Sequence, residues 1–93
     1  MSEPATPFHP PVKRSMTIAG HPTSISLEPV FWTALQDAAR EADIPLSALV
    51  ARIDAERIAA PNPSNLASAI RVWLFARADA GPSAGARAST QMR

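Results

Sequence analysis

The chain has 93 residues and a formal net charge of +1, so one small domain is expected and charge alone does not predict a polyanionic partner. Cysteine is absent, which excludes a disulfide framework and a thiolate metal site. The apolar runs are too short to span a bilayer, and no secretory signal pattern opens the chain. We therefore expect a cytoplasmic protein without a membrane partner.

The two ends differ in composition from the middle of the chain. Residues 1–12 are rich in proline, and residues 81–93 are mostly small or polar. Neither end can bury enough apolar surface to offset the entropy of ordering, so we predict disordered tails around a domain over residues 13–80. A domain of roughly 70 residues builds a marginal core alone, which favours a partner subunit.

Two short segments alternate between polar and apolar residues, as a half-buried strand does. They run from Arg14 to Ile18 and from Thr23 to Leu27, with a turn at residues 19–22 between them. In the second segment Ile25 and Leu27 fall on the opposite face from the serines. The pattern predicts two short strands, and a hairpin is one arrangement of them.

Three amphipathic helices follow. The first is predicted from Pro29 to about Asp43, and the second from about Pro45 to Ala59. The third is predicted from Leu66 to Ala78, capped by Ser64 or Asn65. We interpret the third helix as reinforcement of the core, with Arg71 and Arg77 in solvent. The predicted fold class is mainly α with a short β-ribbon.

The order strand, helix, proline-containing turn, helix is that of the ribbon-helix-helix superfamily, to which the Arc and MetJ repressors belong. The local sequence resembles one bacterial branch of it from Lys13 to Ala78. The blocks that carry the resemblance are KRSMTIAGHPTSISLE at 13–28, FWTAL at 31–35, LSAL at 46–49, IDAER at 53–57 and NLASAIRV at 65–72.

The resemblance implies an intertwined homodimer plus a third helix. One strand from each chain pairs antiparallel into a ribbon, and the helices of both chains share one core. The outward face of the ribbon then enters the major groove of double-stranded DNA. The residues expected in the dimer core are Ile25, Leu27, Phe31, Trp32, Leu35, Leu49, Val50 and Ile53.

By the same resemblance, Ser24 and Ser26 are expected to read base edges. The start of the second helix, near Ser47, would bind a phosphate, and Lys13 and Arg14 would contact phosphates or the groove. The chain departs from the family pattern at Pro22, where a basic residue often faces the groove. Which of the two strands lies in the groove stays open.

Plainer interpretations stand beside these. Ser24 and Ser26 also fit as ordinary solvent-facing strand residues, and Lys13 with Arg14 as a solvated pair at a domain edge. A dimeric protein-interaction or antitoxin-like module is the alternative function on the same fold. Two histidines are too few for a metal site without cysteines. No residue pattern predicts a catalytic site, so we expect neither an enzyme nor a cofactor.

Overall fold

A computed structural model describes residues 8–80 of the chain. It contains a two-stranded antiparallel sheet followed by three helices. Residues 1–7 and 81–93, where most of the predicted disorder falls, lie outside the described part. Val12, which we assigned to the N-terminal tail, is instead the first residue of a strand.

The two strands form a hairpin, β1 (Val12–Ile18) and β2 (His21–Leu27). Each strand begins or ends at the turn Ala19-Gly20, so the connection is shorter than the predicted four residues. The φ angles of Ala19 and Gly20 are 50° and 85°. Two positive φ angles define the type I′ turn, whose twist matches that of the strands it joins.

Pro22 lies inside β2, where it pairs with Thr17. The pair next to a two-residue turn exchanges both backbone hydrogen bonds, and the following pair exchanges none. Ile18 and His21 form the first pair and Thr17 and Pro22 the second, so the proline nitrogen lies on the edge away from β1. The strand therefore continues through Pro22 without losing a hydrogen bond to β1.

The ribbon differs from the one that the resemblance implies. We expected one strand from each of two chains, whereas the structure pairs β1 with β2 of the same chain. The physical reason is the tight turn, which places the two strands beside each other at low entropic cost. A second chain is therefore not needed to form a two-stranded ribbon.

The helices begin and end within two residues of the predicted bounds: α1 (Pro29–Ala42), α2 (Leu46–Ala59) and α3 (Leu66–Ala80). Asp43 ends α1 in the left-handed region at φ 59°. The predicted cap of α3 is confirmed at Asn65, because the backbone N–H of Ser68 donates to its Oδ1 at 2.8 Å.

One apolar core joins all five elements. Ile18, Ile25 and Leu27 come from the inner face of the hairpin, and the rest come from the three helices. The helical members are Trp32, Leu35, Ala38, Ala39, Leu49, Val50, Ile53, Ile70 and Leu74. Among the described residues no polar or charged residue is buried. The helices thus support one face of the hairpin and leave the other to solvent.

A single chain already buries most of the residues expected in the dimer core. Seven of those eight are at most 3% exposed, and Phe31 is half-buried against the same cluster. The hairpin and α3 provide this cover within one chain. Burial of these residues therefore does not by itself require a partner, and their contact with a second chain stays a prediction.

Candidate nucleic-acid interface

The outer face of the hairpin carries six exposed side chains in three cross-strand pairs. The pairs are Lys13 with Ser26, Ser15 with Ser24, and Thr17 with Pro22. Residues two apart on a strand share a face, and the register places the even positions of β2 beside the odd positions of β1. We call these six residues the outer face; it holds four hydroxyl groups, one ammonium group and one proline ring.

Two hydroxyl groups of the outer face contact each other across the strands. The Oγ atoms of Ser15 and Ser24 lie 3.3 Å apart, close enough for either to donate. Their residues form a pair without backbone hydrogen bonds, in which side chains approach most closely. A linked pair of hydroxyls can both donate to and accept from a base edge.

Lys13 and Arg14 are adjacent in the sequence but lie on opposite faces of β1. Lys13 belongs to the outer face, beside Ser26. Arg14 shares the inner face with Met16 and Ile18, and its Cζ lies 5.0 Å from the centroid of the Trp32 ring. The structure therefore groups Lys13 with Ser24 and Ser26 and separates Arg14 from them.

Trp32 joins α1 to the first strand. Its indole N–H donates a hydrogen bond of 2.9 Å to the carbonyl oxygen of Val12, and its ring is 2% exposed. Buried indoles usually place their N–H on such a partner, because leaving it unpaired costs free energy. The contact fixes the beginning of β1 against the core.

The charge on the hairpin is positive. Lys13 and Arg14 are its only charged residues at neutral pH with histidine neutral, since no Asp or Glu occurs between residues 8 and 27. The acidic residues of the described part begin at Glu28 and lie beyond the strands. A locally positive ribbon thus sits on a chain whose net charge is only +1.

The end of β2 is tied to α3 through Glu28. The guanidinium group of Arg71 donates from Nε to Oε1 at 3.0 Å and from Nη2 to Oε2 at 3.3 Å. A hydrogen bond from the backbone N–H of Glu28, together with the hydrogen bonds and charge of Arg71, lowers the pKa of this carboxyl group. Arg71 also lies 5.7 Å from the Phe31 ring centroid.

Arg71 and Arg77 are therefore not simply solvated, as we had predicted. Arg77 forms an ion pair with Glu41 of α1. Both arginines of α3 bind acidic residues far away in the sequence, and such partners are invisible to helical periodicity. The third helix is held by charge pairs as well as by its core residues Ile70 and Leu74.

Ser47 lies apart from the outer face in chain and element. It is half-buried in the first turn of α2, whose backbone N–H groups at Ala48 and Leu49 both donate to the carbonyl of Pro45. Nothing printed in the geometry joins it to the hairpin, so its phosphate contact stays a prediction.

Two residues of the outer face were missing from the predicted site. Ser15 and Thr17 share the face with Lys13, and both are exposed. The signal was available, because the period of two in β1 puts them on the polar side. They were passed over because the family resemblance directs attention to the second strand.

Other kinds of site are not indicated within residues 8–80. Histidine, aspartate and glutamate do not gather there in groups of three that could hold a metal ion. Over the same residues, each helix is too short or too polar to cross a membrane.

Comparison with known proteins agrees with the fold. A family model described as a ribbon-helix-helix domain matches residues 11–78, which is most of the chain. The chain belongs to this family. Curated proteins and solved structures gave no significant match.

Proposed function

We propose that this protein is a non-enzymatic, cytoplasmic transcriptional regulator that binds double-stranded DNA through the outer face of its hairpin. Membership of the ribbon-helix-helix family supports a regulatory fold of the DNA-binding type. The observation that carries the proposal is the outer face itself, a rigid ribbon surface with four hydroxyls and Lys13 and no acidic group.

The dimensions of the ribbon suit the major groove. The groove is about 12 Å wide and admits a two-stranded ribbon. Ser24 and Ser26 then approach base edges as donors or acceptors, and Lys13 contributes a mobile positive charge for a phosphate oxygen. Short hydroxyl side chains suit a closely approaching ribbon, since a long side chain would hold it away from the bases.

A homodimer is part of the proposal, because the free edge of β2 offers unpaired backbone groups. In an antiparallel pair alternate residues turn their N–H and C=O outward, and in β2 these are Ser24 and Ser26. An uncovered edge of this kind is a template for another strand. Ser24 of one chain would pair with Ser26 of the second, with Pro22 beyond the hydrogen-bonded stretch.

Such a dimer carries four strands in the order β1, β2, β2, β1. Neighbouring strands lie about 4.8 Å apart, so the outer two would be about 14 Å apart, wider than the groove. The central pair with Ser24 and Ser26 would enter the groove, and β1 with Lys13 would lie over the phosphates at its margins. The repressor role that we expected belongs to this proposal, as does a phosphate contact at Ser47.

The test is a binding titration against the DNA upstream of the protein's own gene and against a random duplex, at two salt concentrations. We expect tighter binding to the upstream DNA and weakening as salt rises, because phosphate contacts release counterions. Replacing Ser24 and Ser26 together by Ala should reduce the preference for upstream DNA. Binding that survives loss of Lys13, Ser24 and Ser26 unchanged would contradict the proposal.

A protein-interaction module is the second candidate, and one observation favours it. Val72 and Phe75 on α3 are 67% and 72% exposed, beside a cavity of about 340 Å³ between α2 and α3. Exposed apolar residues beside a groove are typical of a protein contact. If neither duplex binds at low salt, this candidate is favoured, and Phe75→Ser should then weaken the binding of a partner protein.

A further inference from the structure

Both chain neighbours of Lys13 contact the same side chain, Trp32. Val12 accepts the indole N–H through its carbonyl oxygen at 2.9 Å. Arg14 places its guanidinium carbon 5.0 Å from the centroid of the ring. Lys13 itself points to the opposite face of the strand. The backbone of Lys13 is thus attached on either side to one buried residue of α1.

This attachment occurs where β1 would otherwise be weakest. Val12 is the first residue of the strand, it is 40% exposed, and the described residues before it are exposed and in neither helix nor strand. Strand ends without tertiary contacts open locally at little cost in free energy. Trp32 cannot follow such an opening, because its ring is packed in the core at 2% exposure.

We propose that Trp32 is a positioning residue for the DNA contact of Lys13. It acts through the backbone: its N–H holds the first residues of β1 in the ribbon, so that the Lys13 ammonium stands beside Ser26 on the outer face. The group that Lys13 meets is a phosphate oxygen of the DNA backbone. This inference rests on the proposed function and adds to it a residue that does not touch DNA.

The same geometry divides the work of the basic pair. Arg14 covers the Trp32 ring, and an exposed cation over an aromatic ring contributes roughly 0.5–1 kcal/mol. A guanidinium engaged there stands on the face away from the groove. Of two neighbouring positive charges, Lys13 therefore binds DNA and Arg14 stabilises the strand that carries it.

The main experiment is a double-mutant cycle on DNA affinity with Trp32→Phe and Lys13→Ala. The phenyl ring keeps most of the apolar volume and loses the N–H. One hydrogen bond of this kind corresponds to a roughly three- to tenfold loss of affinity when Lys13 is present. With Lys13→Ala the same change should alter affinity by less than about twofold, because the positioned group is gone.

The cycle has clear contrary results. An equal loss in both backgrounds would mean that Trp32 acts on the fold alone, and no loss in either would mean that it positions nothing. Hydrogen exchange separates failure of this inference from failure of the proposed function. If the wild-type protein binds no DNA, Trp32→Phe must still speed exchange at the amides of Arg14 and Leu27 while leaving Ile70 unchanged, or the inference is overturned.

A charge-matched pair of variants keeps the inference testable if Trp32→Phe does not fold. Lys13→Met and Arg14→Met each remove one positive charge from adjacent positions. We expect Lys13→Met to reduce the slope of log affinity against log salt by about 0.9 for its phosphate contact, and Arg14→Met to leave the slope unchanged. An equal change in slope for both variants would overturn the division of roles.

Discussion

Arg71 and Glu28 are joined by two hydrogen bonds across 43 residues of sequence. Glu28 lies between the end of β2 and the first residue of α1, and Arg71 lies on α3. The pair therefore connects the helix that is additional to the ribbon-helix-helix order with the junction from which the ribbon emerges. Its geometry is the paired arrangement that suits a guanidinium and a carboxylate.

Removing this pair should destabilise the protein more than removing a pair in solvent. Arg71→Met keeps the apolar stem over Phe31 and loses both hydrogen bonds, so we expect a clear fall in Tm. Arg40→Met is the matched control, because its bond to Asp37 lies at the surface with side-chain exposures of 73% and 52%. Equal changes in Tm for the two variants would contradict a structural role for the Arg71 pair.

The lowered pKa of Glu28 gives its contribution a defined pH dependence. A carboxyl group whose pKa falls on folding stabilises the native state above its unfolded value, and this stability is lost as pH decreases through the folded value. The ordinary pKa is 4.5. The difference in unfolding free energy between wild type and Glu28→Gln should be constant near neutral pH and shrink below about pH 4.5. Urea titrations across this range measure it, and a difference that grows on acidification would have the wrong sign.

The turn of the hairpin should be improvable at one position and not at its neighbour. Ala19 has φ 50°, which costs an alanine roughly 1 kcal/mol and an asparagine less, so Ala19→Asn should raise stability by up to about 1 kcal/mol. Gly20 at φ 85° has free space around an added Cβ, but Gly20→Ala should be destabilising because of the backbone strain alone. Thermal unfolding of both variants tests this pair of opposite signs.

The third helix should prove to be part of the core rather than an appendage. Ile70 is fully buried and Val72, two residues away on the same helix, is 67% exposed. Ile70→Ala should cost about 2–4 kcal/mol in unfolding free energy, and Val72→Ala less than about 0.5 kcal/mol. Similar small losses would mean that α3 packs only loosely on the rest of the chain.

Specificity and affinity should separate on the outer face. Ser26→Ala should change the ranking of DNA sequences without changing the salt dependence, because a hydroxyl at a base edge neutralises no phosphate. Ser64→Ala is a suitable control, since Ser64 is an exposed serine outside the hairpin. A library of duplexes titrated at fixed salt gives the ranking, and an unchanged ranking would place Ser26 outside the groove.

Much of this fold could be predicted from the sequence, since its elements follow strong local signals. Alternation set the faces of both strands, and the positions of Pro29, Pro45 and Asn65 bounded the helices closely. The same alternation places Arg14 on the inner face with Met16, a consequence that pairing it with Lys13 as a basic unit had hidden. Local pattern was thus more reliable here than the grouping of neighbouring charges.

The long-range contacts could not be predicted in the same way. Nothing in helical periodicity shows that Trp32 meets Val12 or that Arg71 meets Glu28, because these contacts depend on how elements pack. Pairing of the two strands within one chain also rests on the turn, whose two residues, Ala19-Gly20, are not the Asn-Gly that most clearly marks a type I′ hairpin. The sequence showed the strands but left their partners open.

The separation of the two faces of the hairpin has a consequence for how this protein can evolve. The side chains of the outer face take no part in the core, so substitutions there can change the recognised sequence while the fold persists. An insertion or deletion of one residue within β1 is different, because it exchanges the two faces and would turn Lys13 inward and an isoleucine outward. Lineages that keep this ribbon should therefore vary by replacement on its exposed side and hold the length of its strands constant.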